Sequence, residues 1–262
     1  MHFESPRWIP IQARELQRHI GIPFQTWTSL EGIDPSYGRY FDNVIAQGGP
    51  HADKLNHLAL EIAHAADDDD LLMFLDGDAF PIANLVPLMD AGLRDAPLMA
   101  VKRGENGNDT QPHPCFCVTS VGEWKALRGD WTKGYIWNGL EGKPTTDVGA
   151  NLLRRLNLTS TPWTPLLRTN SHNPHPVFFG IYGNAVYHHG AGFRWPVERI
   201  DWVDVRQIPT VDLPVLGPIV RRIERIRHRI LYRRLARQNR RLSEEIFRLI
   251  EQDDRSWLDR LA

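Results

Sequence analysis

Two aspartates, Asp76 and Asp78, flank one glycine where the apolar run of "LLMFLDGDAF" ends. A carboxylate without a partner is costly to desolvate. A pair in this position therefore holds a divalent metal, serves as a phosphate-transfer nucleophile, or lines a solvated turn. Other side chains with chemical potential lie far along the chain: Asp147 in "TTDVGANLL", His188 and His189 in "VYHHGAGFR", and the aromatic cluster "DWTKGYIWNG". Cys115 and Cys117 sit in "PCFCV", where a regular strand puts both on one face. That spacing suits neither a mutual disulfide nor a zinc site, so they read as reduced core thiols.

The elements around the aspartates follow an α/β pattern. "PRWIPIQARELQRHI" carries Trp8, Ile11, Leu16 and Ile20 at a loose helical period, closed by Gly21. "HADKLNHLALEIAHAA" places Leu55, Leu58, Ile62 and Ala66 on one stripe and leads into the apolar strand. Helix feeding strand predicts a mainly parallel sheet flanked by helices, with Asp76 and Asp78 at the carboxyl end of a strand, where ligands gather. "APLMAVKRG" and "CFCVTSV" read as strands, "GEWKALRGD" and "DVGANLLRRLN" as short helices, and "HPVFFGIYGNAVYHHGAG" as a hairpin broken at Gly183. The Pro and Asn cluster over 162–176 reads as loop, and the "DDDD" run at 67–70 as a solvated connection.

The 262 residues, 42% hydrophobic and 24% charged, fit one large domain with an appendage. The net charge of −1 conceals a polarity: residues 221–241 hold ten arginines against Glu224, a local +9 that leaves −10 elsewhere. A catalytic domain over 1–212 and a basic amphipathic helical tail over 213–262 are expected, divided near "LPVLGP". Ile219, Ile223, Ile226 and Ile230 form a stripe on that tail. It suits peripheral association with an anionic membrane through residues 219–242, or packing on the body or a partner chain. Nucleic acid is not expected as a partner. No run is apolar enough to span a membrane, and no signal-peptide pattern opens the chain, so a bacterial, cytoplasmic protein is expected, peripheral on the inner face of the membrane.

The helix, strand and D-x-D of "HADKLNHLALEIAHAADDDDLLMFLDGDAFPI", with "TTDVGANLL" and "VYHHGAGFR" downstream, resemble the nucleotide-sugar glycosyltransferases of the GT-A fold over roughly residues 6–200. In that family the motif holds a divalent metal against the donor diphosphate. The resemblance implies Mn²⁺ or Mg²⁺ bound by Asp78, with Asp76 on the metal or the donor ribose, and a further ligand from His188 or His189. It also implies a nucleotide-sugar donor and a glycan or lipid-linked acceptor. Asp147 is the candidate catalytic base or sugar contact, although a carboxylate at a helix start also serves as an N-cap. Lys54 and Arg194 are candidates for the donor phosphates, and Trp131, Tyr135 and Trp137 for an acceptor platform.

One departure stands out. The family's sheet begins with a strand before the first helix, whereas only "MHF" precedes it here, so an unusually short strand or a start upstream of Met1 is expected. Two rival readings use the same residues. A non-catalytic binding protein would keep the fold alone, and a haloacid-dehalogenase-type phosphatase would use the D-x-D as its nucleophile. That second motif usually continues to threonine or valine where this chain has Phe80.

Overall fold

In chain order the strands are β1 (His2–Phe3), β2 (Trp27–Thr28), β3 (Leu30–Glu31), β4 (Asn43–Val44), β5 (Leu71–Leu75), β6 (Ala79–Pro81), β7 (Leu98–Val101), β8 (His113–Ser120), β9 (Trp137–Asn138), β10 (Pro144–Thr145), β11 (Thr164–Leu166), β12 (Gly180–Tyr182) and β13 (Val186–His188). The helices are α1 (Ile9–His19), α2 (His51–Ala65), α3 (Val86–Gly92), α4 (Val121–Leu127), α5 (Ala150–Leu158) and α6 (Gly217–Glu251). The computed structural model describes residues 1–106, 109–139, 142, 144–175, 177–190 and 217–262. Among them, no helix is long and apolar enough to cross a membrane.

The largest sheet has the order β11-β7-β8-β5 and is mixed rather than mainly parallel. β11 runs parallel to β7, and β8 lies antiparallel between β7 and β5. The apolar pattern of β5 is explained by cover on both faces. Leu72 and Phe74 enter one core cluster with Leu55 and Ala59 of α2, while Met73 and Leu75 pack against a second cluster holding Leu16, Leu85 and Phe116. Each large apolar side chain so buried contributes roughly 1.5–3 kcal/mol.

Two local expectations need correction. β11 lies inside the stretch read as loop, and its Pro165 is tolerated because β11 is an edge strand that needs no ladder on its outer side. Cys115 and Cys117 do not share a face. The β7–β8 register shifts between Ala100 and Val101, which sends Cys117 to the cluster of Phe74 and Cys115 to that of Met99. Both thiols are free and buried, and burial raises the pKa of each.

The N-terminal strand is short: β1 is two residues long and pairs in parallel with β3. The boundary expected near residue 213 falls outside the described residues. Beyond it, the last turns of α6 join the body, because Ile246, Phe247 and Ile250 share a third core cluster with Trp8, Phe80, Tyr187 and Trp257. Arg18 clamps Asp253 through two hydrogen bonds of 2.8 and 2.7 Å, and Arg255 donates to the Ile82 carbonyl at 2.8 Å.

Candidate metal centre

The Asp76–Gly77–Asp78 turn carries the chain from β5 into β6 and is held from below by α1. Gln12 Nε2 donates to the carbonyls of Asp76 at 2.8 Å and Ala79 at 2.6 Å, and Gln12 Oε1 lies 3.1 Å from His2 Nε2. The glycine between the aspartates is required by this packing. A Cβ on Gly77 would stand 2.5 Å from the Met1 carbonyl oxygen and 2.8 Å from His2 Nδ1.

The third member arrives by strand register. β13 pairs antiparallel with β6 and sets His188 opposite Ala79, one residue beyond Asp78. His188 Nε2 consequently lies 3.3 Å from Asp78 Oδ1 and 3.7 Å from Asp76 Oδ2. One ligand atom from each of Asp76, Asp78 and His188 can be chosen so that all lie within 4.8 Å of one another. Asp78 is fully buried, and Asp76 Oδ1 makes no close hydrogen bond, with His51 Nε2 at 3.4 Å.

The charges of the cluster act on one another. Burial alone would raise the Asp76 pKa, but the neighbouring His51 imidazole, with His113 and His188 behind it, holds it well below the usual carboxylate range. Burial would likewise suppress the charge on His188, yet Asp78 and Cys115 push its pKa well above the ordinary value. Two carboxylates and one imidazole offer three ligand atoms that could hold a metal ion.

The structure separates the other candidates. His189 points away from the triad: its Nδ1 meets the Tyr187 hydroxyl at 2.9 Å and its Nε2 meets Ser243 Oγ of α6 at 2.6 Å. Burial pulls its pKa down to about 3, so it is a neutral structural histidine. Its backbone N–H donates to the Asp78 carbonyl at 3.1 Å. Lys54 is buried and spends its ammonium on Glu31 at 2.6 Å. Arg194 lies outside the described residues.

Asp147 is half-buried, with Lys133 Nζ at 3.2 Å and Arg103 Nη2 at 3.6 Å. It does not cap α5, whose N-cap is Gly149 in a left-handed conformation with φ 90°. Of the aromatic cluster, Trp131 is core, packed edge-on against Phe74 at 5.0 Å and stacked on Trp124 at 5.6 Å. Trp137 is also buried, and Tyr135 is half-buried.

Sequence reasoning missed His51, His113, Arg103 and Gln111. His113 stands 6.2 Å from His188, ring centre to ring centre, and Arg103 lies close enough for its charge to act on both His113 and Cys115. Arg103 also reaches Asp109 at 3.4 Å, so one guanidinium faces Asp109, Asp147 and the His113 side of the triad. Gln111 is buried beside Asp109. Only His51 had a visible signal, as the first residue of the helix that feeds the D-x-D strand.

No protein-family model and no curated protein matches this chain.

Proposed function

We propose that this chain is a metal-dependent glycosyltransferase of GT-A type, moving a sugar from a nucleotide-diphosphate donor to a glycan or lipid-linked acceptor. The observation that carries the reading is the convergence of Asp76, Asp78 and His188 at the end of an apolar strand. These three residues would hold Mn²⁺ or Mg²⁺, and the imidazole favours Mn²⁺. A cation there supplies positive charge opposite the leaving diphosphate.

The remaining roles fall to the chain itself. Asp147 is open enough to accept the proton of an acceptor hydroxyl, and Lys133 and Arg103 fix its orientation. His51 holds the Asp76 carboxylate ionised. Tyr135 is the accessible aromatic for an acceptor sugar, with Trp131 and Trp137 as its packed support. In this arrangement Lys54 braces the β3 edge through Glu31 rather than touching phosphate.

Thermal melting against UDP-, GDP- and dTDP-sugars, each with and without Mn²⁺, tests the proposal. Ligand at a hundredfold excess over Kd stabilises by about 2.7 kcal/mol, a rise in Tm of roughly 5–10 °C for a chain of this size. The rise is expected only when sugar nucleotide and metal are both present, and it should vanish in Asp78→Asn. Sugar transfer that persists at full rate in Asp78→Asn would overturn the reading.

A further inference from the structure

The arginine-rich part of α6 faces outward. Tyr232, Ala236, Asn239, Ser243, Ile246 and Ile250 form its inward stripe, all buried or half-buried. On the opposite side Ile223, Ile226, Ile230, Arg234, Arg237 and Arg241 recur at intervals of three and four residues, which places them on one line down the helix. The isoleucines of that line are 59, 51 and 60% exposed, so none of them is buried against the body among the described residues.

Beside the line lies an open groove of about 860 Å³, bordered by Ile230, Arg233, Arg234, Arg237, Arg241 and His172. Its single bordering carboxylate, Glu245, is taken by Arg260 at 2.8 Å. Among the described residues the side chains of Arg233, Arg234, Arg237 and Arg241 make no hydrogen bond or ion pair, leaving four guanidiniums around one concavity.

We infer that this face of α6 binds an anionic phospholipid surface, with Ile223, Ile226 and Ile230 in the acyl boundary and the four arginines on headgroup phosphates. Exposed isoleucines need an apolar phase, and a guanidinium cluster needs phosphate or carboxylate; an anionic bilayer offers both in one plane. Pairing of two copies through the same stripe is opposed by Arg227, Arg229, Arg233 and Arg240, which would be brought against like charges. The inference stands apart from the sugar-transfer reading, since it uses neither the metal centre nor its donor.

The test is co-sedimentation of the full chain, in chelator, with vesicles of phosphatidylcholine alone and of phosphatidylcholine with phosphatidylglycerol. Pelleting is expected only with the anionic vesicles and is weakened by salt. Arg234→Glu/Arg237→Glu/Arg241→Glu should lower the partition at least about 100-fold, whereas Ile223→Ser/Ile226→Ser/Ile230→Ser should leave weak binding that salt removes completely. Both variants change exposed side chains, and an unchanged melting curve verifies their fold. Equal pelleting with both vesicle types, or an arginine variant that pellets like the parent, overturns the inference. Release by stoichiometric inorganic pyrophosphate would overturn it in favour of a soluble phosphate ligand. A dimer in light scattering that the isoleucine variant dissolves, with no vesicle binding, would overturn it in favour of self-association.

Discussion

The two adjacent histidines of β13 have opposite duties, and substitution separates them. His188→Ala removes a donor from the triad and should lower Mn²⁺ affinity at least 10-fold, about 1.4 kcal/mol, in a titration of the purified chain. His189→Phe should leave that affinity within a few fold, but it strands the Tyr187 hydroxyl and Ser243 and should cost roughly 1–3 kcal/mol of stability. Equal loss of metal from both variants would refute the assignment of His188 alone. A metal ion on His188 would compete with a proton, because Asp78 and Cys115 raise the pKa of that imidazole, so the proposed affinity should also rise with pH. Asp78→Ala carries a second penalty. It leaves a void and a buried imidazole with no acceptor, whereas Asp78→Asn keeps the volume and an accepting oxygen, so loss of metal binding is better read from Asp78→Asn. Gly77→Ala reports on the packing beneath the triad. Its Cβ would press on Met1 and His2, and a loss of about 1–3 kcal/mol together with weakened metal binding is expected.

At the scale of elements, what could be read from the sequence is what short-range periodicity encodes. Trp8, Ile11, Leu16 and Ile20 do mark the buried face of α1, and Leu55 and Leu58 that of α2. The strand Leu71–Leu75 and the β12–β13 hairpin around Gly183 were legible for the same reason. β11 was hidden by Pro165, the facing of Cys115 by a register shift, and the choice between His188 and His189 by the pairing of β13 with β6. His113 and Arg103 reach the site through β8 and the end of β7, partners that no local pattern announces. The tie between α6 and the triad is of this long-range kind as well. Ser243 Oγ bonds His189, whose backbone holds the Asp78 carbonyl. Ser243→Ala should cost about 1–2 kcal/mol and speed tryptic cleavage at the arginines of α6, while leaving far-ultraviolet dichroism unchanged. If cleavage stays at the parent's rate, the bond contributes little to docking the helix.

For the whole molecule, the burial of several histidines sets the response to acid. His2, His113 and His189 are buried, and burial lowers the pKa of all three. For His189 the shift is from 6.5 to about 3, with Arg7 and His188 adding to burial and Asp78 opposing it. Below the unfolded value of 6.5 the unfolded chain binds protons that these native side chains refuse, so stability falls as pH drops from about 6.5 towards 3. Each such histidine contributes a slope of up to about 1.4 kcal/mol per pH unit. His188 acts in the other direction: its raised pKa gives stability that is present below 6.5 and is lost as pH rises through its folded value. The metal-free chain should therefore have a narrow stability maximum near neutral pH, and its Tm should drop steeply between about pH 6.5 and pH 5. His189→Gln abolishes one of the refused protons and should flatten that acid limb by up to about 1.4 kcal/mol per pH unit, even though it lowers stability at pH 7. An acid limb of unchanged slope in His189→Gln would mean that the imidazole is protonated in the native core, and that its bonds to Tyr187 and Ser243 are made by a cation.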